Sequence, residues 1–247
     1  MKRELHALIL ALVGGTLLKL AITGSYARYV KPGVRPFLVA AAVVVLALAA
    51  ATLWSAARRR VADRHSELDG HGEDDGHGHR HGRFDVAWLL MLPMLVLLLI
   101  APPALGSFSA ARSGTALGAA PASNLLALPD GDPVRLSLLD YASRATFDHG
   151  RSLSGRHVTL SGFVLPGDGG VCYLTRMVIT CCAADAQPIK IGLTGTVPGG
   201  LKANDWIEVT GSYATRQDKD PVNQEPIPYV NVDSAKPIPA PARQYES

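Results

Sequence analysis

The stretch HVTLSGFVLPG, residues 157–167, carries the pattern that decides the fold of the C-terminal half of the chain. Its apolar residues, among them Val158, Leu160 and Phe163, are interleaved with small and polar ones. Successive side chains of a β-strand point to opposite faces, so this pattern predicts a strand with one buried face. Pro166 and Gly167 mark the turn that ends it.

Four further strand-like stretches follow, at residues 171–181, 188–195, 205–215 and 227–239, and the breaks in this region are punctuated by Gly and Pro. The stretch before them, residues 133–145, instead has its apolar residues at the spacing of an amphipathic helix. One helix followed by five short strands predicts a small all-β domain over residues 130–247. We expect an OB-like barrel with a preceding helix.

Two of the three cysteines of the chain are adjacent, in VITCCAADAQP (178–188), where Asp185 follows Cys182 by three positions. If residues 171–181 form one strand at about 3.3 Å per residue, Cys172 lies about 30 Å from Cys181, too far for a disulfide. The alternation of the strand then places Cys181 on the apolar face and Cys182 on the polar face with Arg176. A neighbouring guanidinium would favour the thiolate of Cys182.

Three interpretations of this pair remain open. A metal site needs three or four ligands, so Cys181, Cys182 and Asp185 would need help from His149, His157 or a second chain in a homodimer. The implied ligand is a thiophilic or divalent, zinc-like ion. The alternatives are a reactive or redox thiol and a pair of structural core cysteines. The chain has no C-x-x-C motif and no clear Cys–His pair, which weighs against an enzyme.

The N-terminal half contains three apolar stretches that are long enough to cross a bilayer as helices, at residues 5–23, 37–54 and 86–105. Residues 1–105 are therefore predicted to be a transmembrane region whose partner is the lipid bilayer. Lys19 interrupts the first stretch, and we expect its ammonium to reach the interface. A cleaved signal peptide over residues 1–27 is a second interpretation of the start of the chain.

The distribution of Lys and Arg predicts the orientation of these spans, because cytoplasmic loops are enriched in positive charge. One side carries Lys2, Arg3 and six arginines of the loop 55–85, and the other carries Arg28, Lys31, Arg35 and Arg112. The chain is thus predicted to be a multi-pass protein of the plasma membrane. Its N-terminus and the loop 55–85 would be cytoplasmic, and the C-terminal domain extracytoplasmic.

The loop 55–85 is rich in histidine, and His71, His77, His79 and His81 alternate with glycines and acidic residues. Imidazole and carboxylate groups suit zinc, nickel or copper, so the loop is predicted to bind metal weakly as a buffer or sensor. A solvated polar linker is the alternative. Residues 106–129 are rich in Gly, Ala and Ser, which predicts a flexible linker. The net charge of only +3, without basic blocks interleaved with aromatic residues, argues against binding of nucleic acid.

The stretches RMVITCCAADAQPIKIGL (176–193) and LKANDWIEVTGSY (201–213) resemble a bacterial family of two-component membrane permease subunits. That family has several N-terminal spans, a His-rich loop and a C-terminal domain of unknown function with a Cys-Cys-x-x-Asp-Ala core. The resemblance covers nearly the full chain and includes YVKP at residues 29–32, whereas Cys172 matches no motif position. It implies a partner, an integral membrane permease related to organoarsenical exporters, and the handling of a metal or metalloid ion.

Together these observations predict an accessory subunit of a membrane permease complex that handles a metal or metalloid ion. The alternatives are a membrane-anchored thiol or redox enzyme and an OB-like module that binds a protein or glycan and has structural cysteines.

Overall fold

The structure is a computed structural model of the 247-residue chain, and it describes residues 2–66, 96, 103–117 and 127–246. The chain divides into two compact units. The first consists of Met1–Tyr26 and Pro32–Pro102, and the second of Ala27–Lys31 and Pro103–Ser247. The short segment 27–31 therefore belongs to the C-terminal unit, although it lies between two apolar stretches of the sequence.

The described part of the first unit is a pair of packed helices, α1 (Lys2–Thr23) and α2 (Arg35–Ser66). Ala7, Gly14 and Ala21, which recur at every seventh position of α1, are buried. A Cβ atom at Gly14 would lie 2.7 Å from Cγ of Leu46 on α2. Small residues thus allow the two backbones to approach closely, as is common between helices in membranes.

Many side chains on the outside of this helix pair are large and apolar: Leu8, Ile22, Phe37, Val43, Val44, Leu48 and Trp54. Among the described residues, His6–Thr23 and Pro32–Arg58 are long and apolar enough to cross a membrane. The predicted apolar helices at residues 5–23 and 37–54 are thereby confirmed as helices. The third predicted span, 86–105, lies outside the described residues except for 96 and 103–105.

The second unit is built on a mixed seven-stranded sheet. Its strands are β1 (Val134–Arg135), β2 (His157–Pro166), β3 (Cys172–Val178), β4 (Gln187–Gly195), β5 (Trp206–Lys219), β6 (Pro226–Pro237) and β7 (Tyr245–Glu246). The order is β1-β2-β5-β6-β4-β3-β7, and β2 also pairs with β3. The pairs β1–β2, β4–β6 and β3–β7 are parallel and the others antiparallel.

The five predicted strands correspond to β2–β6, with two main differences in extent: β3 ends at Val178 rather than at residue 181, and β5 continues to Lys219 rather than ending at residue 215. The two-residue strands β1 and β7 were not predicted, because an element of two residues has no periodicity. Both pair in parallel with a longer strand, β1 with β2 and β7 with β3. They therefore depend on partners distant in sequence.

Helix α4 (Leu138–Phe147) covers one side of the sheet core. It begins later than the predicted residue 133 because residues 134–135 pair with β2, and the Ser137 side chain then caps the helix by accepting the backbone N–H of Asp140. Tyr141, fully buried on α4, donates a 2.7 Å hydrogen bond to the carbonyl of Tyr229 on β6. The apolar stripe of the helix is thus fixed against the sheet.

The segment 103–117 is an ordered part of the second unit, although most of it was predicted to be flexible linker. It contains a short helix, α3 (Ser107–Arg112), and Leu117 lies in the main core. Lys190 and Asp220, both buried, form an ion pair of 2.8 Å, and Lys190 also donates to the carbonyl of Ser113. The composition of residues 106–129 does not reveal these contacts, because the charged residues that hold the segment, Lys190 on β4 and Asp220 after β5, are distant in sequence. Residues 118–126 of the predicted linker lie outside the described residues.

Candidate metal centre

The two adjacent cysteines lie in a tight turn between β3 and β4, which we call the cysteine turn (residues 179–186). After Val178 the chain stops pairing with β4. The backbone N–H groups of Thr180 and Cys181 donate to the two carboxylate oxygens of Asp185, at 3.0 and 2.8 Å. Asp commonly stabilises turns in this way, by accepting nearby backbone N–H groups. A single acidic residue therefore folds the turn back on itself.

The turn brings the two thiols and the carboxylate together. The sulfur atoms of Cys181 and Cys182 are 3.6 Å apart, and one ligand atom from each of Cys181, Cys182 and Asp185 lies within 4.8 Å of the others. Cys181 is exposed, and Cys182 is half-buried. The three residues predicted from the sequence as metal ligands are thus close enough in space to share one ion.

Asp185 and Cys181 shift each other's proton affinity. Hydrogen bonding to the Asp185 carboxylate, followed by the hydrogen bond to Cys182, raises the pKa of Cys181 to about 11. The same contact with Cys181 lowers the pKa of Asp185 below its ordinary value. Near neutral pH the turn therefore holds an ionised carboxylate beside a protonated Cys181 thiol. Binding of a cation through that sulfur would release its proton.

The residues just before α2 hold the cysteine turn from one side. Val30 forms an antiparallel bridge with Cys182, flanked by two backbone hydrogen bonds. The N–H of Lys31 donates to the carbonyl of Cys181 at 3.1 Å, and the N–H of Ala183 donates to the carbonyl of Tyr29 at 2.7 Å. We call residues 29–31 the strap. The sequence contained a signal for it, the YVKP motif, but no local pattern could show what that motif touches.

Arg176 does not support the cysteines as expected. Its Nε lies 3.8 Å from the carboxylate of Glu246, its guanidinium donates to the carbonyl of Arg243, and the group stacks 5.3 Å from the ring of Trp206. The Glu246 carboxylate in turn accepts the N–H groups of the first two residues of α4. The prediction from the alternation of side chains was wrong here because it continued strand β3 through residue 182, whereas β3 ends at Val178. Cys181, expected on the apolar face, is exposed for the same reason.

The other residues considered for the site lie elsewhere. The ring of His157 is paired with Asp132 at 3.0 Å, and neither His157 nor His149 belongs to the cysteine cluster. Cys172 begins β3 and is half-buried, at the opposite end of that strand from the turn. His71, His77, His79 and His81 of the histidine loop lie outside the described residues.

A polar cavity of about 310 Å³ adjoins the turn on the side of Asp185. It is lined by Ser113 and Gly114 of the anchored segment, by Asn223, and by residues 184–187. Asp185 is thus shared by the cavity and the cysteine cluster, whereas neither Cys181 nor Cys182 lines the cavity.

Two family models match the chain. The DUF1980 N-terminal domain matches residues 5–116, and the DUF1980 C-terminal domain matches residues 144–246, which include the cysteine turn. No curated protein and no solved structure matches the chain. The chain thus carries the N-terminal and the C-terminal domain of the DUF1980 family, in that order along the sequence.

Proposed function

We propose that the chain is an accessory subunit of a membrane permease complex, and that its C-terminal domain binds a thiophilic divalent cation through Cys181, Cys182 and Asp185. The observation that carries the proposal is the convergence of these three ligand atoms within 4.8 Å. The permease partner is implied by the family resemblance, not by this geometry.

The spacing of the sulfurs favours a four-coordinate ion. Two thiolates bound at about 2.3 Å to one tetrahedral ion lie about 3.8 Å apart, whereas a linear two-coordinate ion requires about 4.6 Å. The sulfurs of Cys181 and Cys182 are 3.6 Å apart. With Asp185 as third ligand, one position stays open, as in sites that exchange a ligand rather than in closed structural sites. Zinc and its heavier analogue cadmium fit this arrangement.

The charges around the turn also support the binding of a cation. The carboxylates of Glu246 and Asp220 both accept two backbone N–H groups, and each has a basic partner, Arg176 or Lys190. Asp185 accepts two backbone N–H groups as well, yet it forms no ion pair with any Lys or Arg side chain among the described residues. The carboxylate of Asp185 has two thiols beside it, whereas those of Glu246 and Asp220 have the side chains of Arg176 and Lys190.

The finer architecture belongs to the same proposal. Strands β2 to β6 pair in the cyclic order β2-β5-β6-β4-β3-β2, which supports a small closed barrel of the OB kind. The pairing of the strap with the cysteine turn supports a common side of the membrane for the α1–α2 connection and the C-terminal domain, which we propose to be the outer side. Three transmembrane helices and a cytoplasmic, metal-buffering histidine loop complete the proposal.

A thiol enzyme is the weaker candidate, because the residue expected to activate Cys182 is engaged elsewhere. Arg176 pairs with Glu246 and stacks on Trp206. Without that activator, the chemistry of the turn is better explained by ligation than by nucleophilic attack.

The test is a cadmium titration of the purified full-length chain, followed by the ultraviolet thiolate-to-cadmium charge-transfer band. This band reports on sulfur ligands and is insensitive to metal held by histidines. We expect it to saturate at one equivalent and to be lost when Cys181 and Cys182 are both replaced by Ser. Cys172→Ser is the matched control and should keep the band. A band that survives the double variant would refute the site.

A further inference from the structure

The adjacent thiols pose a chemical problem that the proposed function leaves open. Thiols on an outer face meet oxidising conditions, and paired cysteines there normally become disulfides. Cys181 is exposed and its sulfur is 3.6 Å from that of Cys182, yet an oxidised pair would be useless as a ligand for a cation. The turn therefore needs a reason to remain reduced.

Closing the pair would require the backbone to twist. The sulfurs would have to approach to about 2.05 Å, and the Cα atoms of two residues joined by a trans peptide are only about 3.8 Å apart, below the roughly 4.4 Å at which ordinary disulfides begin. The peptide that joins the two cysteines is part of the eight-membered ring that the disulfide would close. Its orientation therefore affects how readily the ring forms.

The strap holds that peptide. Its oxygen, the carbonyl oxygen of Cys181, accepts the N–H of Lys31, and on the far side of Cys182 the N–H of Ala183 donates to Tyr29. Cys182 itself is extended, at φ −153° and ψ 171°. The joining peptide cannot rotate without losing the first of these bonds, and the second bond resists movement of the residue that follows.

We propose that the strap, residues 29–31, is a positioning element that keeps Cys181 and Cys182 as a reduced pair of ligands by opposing closure of the vicinal disulfide. The inference rests on the proposed function in that the reduced pair is the ion-binding form. In the opposed reaction a cysteine thiolate attacks a small-molecule disulfide and releases one small thiol. The second cysteine sulfur then displaces the other small thiol. The cysteines lose two electrons to the small disulfide, and their two protons end on the two released thiols.

The test measures this oxidation in the full-length, chelator-treated chain with Cys172→Ser, using oxidised glutathione and the loss of two hydrogens from the intact mass. Lys31→Pro removes the N–H that binds the Cys181 carbonyl, and Lys31→Ala is the matched control that keeps it. One net hydrogen bond corresponds to a roughly 2- to 10-fold change in rate. We expect Lys31→Pro to oxidise faster than Lys31→Ala by that factor.

A second variant removes the other bond at a position that tolerates proline. Ala183 is the first residue of a short helical turn, and Cys182 before it is extended, so both positions suit Ala183→Pro. Ala183→Ser is its control, and circular dichroism checks that each variant folds. Equal or slower oxidation in both proline variants than in their controls would overturn the inference. Because no ion is present, the result stands apart from the cadmium titration, whose failure would instead sink the proposed function.

Discussion

At two places in the second unit a carboxylate accepts two consecutive backbone N–H groups, and the two places differ in the side chains that lie beside the carboxylate. At the cysteine turn, Asp185 accepts two consecutive backbone N–H groups, and at the start of α4, Glu246 does the same. Beside Glu246 stands the guanidinium of Arg176, and beside Asp185 stand two thiols. A carboxylate paired with Arg176 stabilises the fold, whereas for the carboxylate beside the thiols we propose a cation from solution as its partner.

The buried pair Lys190–Asp220 is the most demanding case of a carboxylate with its own cation. Both side chains are almost fully buried, and Asp220 also accepts the N–H groups of Thr115 and Val222. Asp220→Ala would leave an ammonium buried without its partner, so we expect a loss of about 3–5 kcal/mol in the free energy of unfolding. Chemical denaturation of the full-length chain measures it. Asp218→Ala is the control, because Asp218 lies two residues earlier at a more exposed position, where it accepts from Arg216 and from the Tyr229 hydroxyl. An equal loss in both variants would contradict the special role of the buried pair.

Arg176 should matter for stability and not for the thiols. Arg176→Met removes the cation beside Glu246 and its contacts with Arg243 and Trp206, which should cost about 1–3 kcal/mol of unfolding free energy. The rate at which iodoacetamide alkylates Cys181 and Cys182 in the folded protein should stay the same. A large change in that rate, with stability unchanged, would return Arg176 to the role of thiol activator.

Asp185→Asn should change the reactivity of the cysteines, which Arg176→Met should leave unchanged. The carboxylate holds the pKa of Cys181 up at about 11, so its neutral replacement should lower that pKa. Each unit of decrease raises the thiolate fraction near neutral pH about tenfold. Alkylation of Cys181 in the ion-free protein, measured by mass spectrometry at pH 7.5, should therefore accelerate. Slower alkylation would show that Asp185 does not control this thiol.

The smallest effect is expected at His157, whose ring pairs with Asp132 on the surface. The hydrogen bond to Asp132 raises the pKa of His157, so the contribution to stability is fully present below about pH 6.5 and is lost as the pH rises through the raised pKa. Wild type should therefore exceed His157→Gln in thermal midpoint at pH 5.5 by more than at pH 8.5. The reverse order would show that the pair does not stabilise the fold.

The spacing of apolar residues was sufficient to predict β2 to β6 as strands. It did not predict which faces are buried, because β2 and β4 are buried on both faces. It was not sufficient to predict where β3 ends. There the N–H groups of Thr180 and Cys181 donate to the carboxylate of Asp185 instead of to a neighbouring strand. The proximity of Cys181, Cys182 and Asp185 could be predicted because the three residues are close in sequence. The strap could not, because Val30 and Cys182 are distant in sequence and meet only in the folded chain.

The central claim, that Cys181, Cys182 and Asp185 hold one ion together, is tested most directly by X-ray absorption at the zinc edge on the full-length chain loaded with one equivalent of zinc. We expect two sulfur ligands at about 2.3 Å together with oxygen at about 2.0–2.2 Å. The sulfur signal should disappear when both cysteines are replaced by Ser. A first equivalent of zinc bound by nitrogen and oxygen alone would contradict the account.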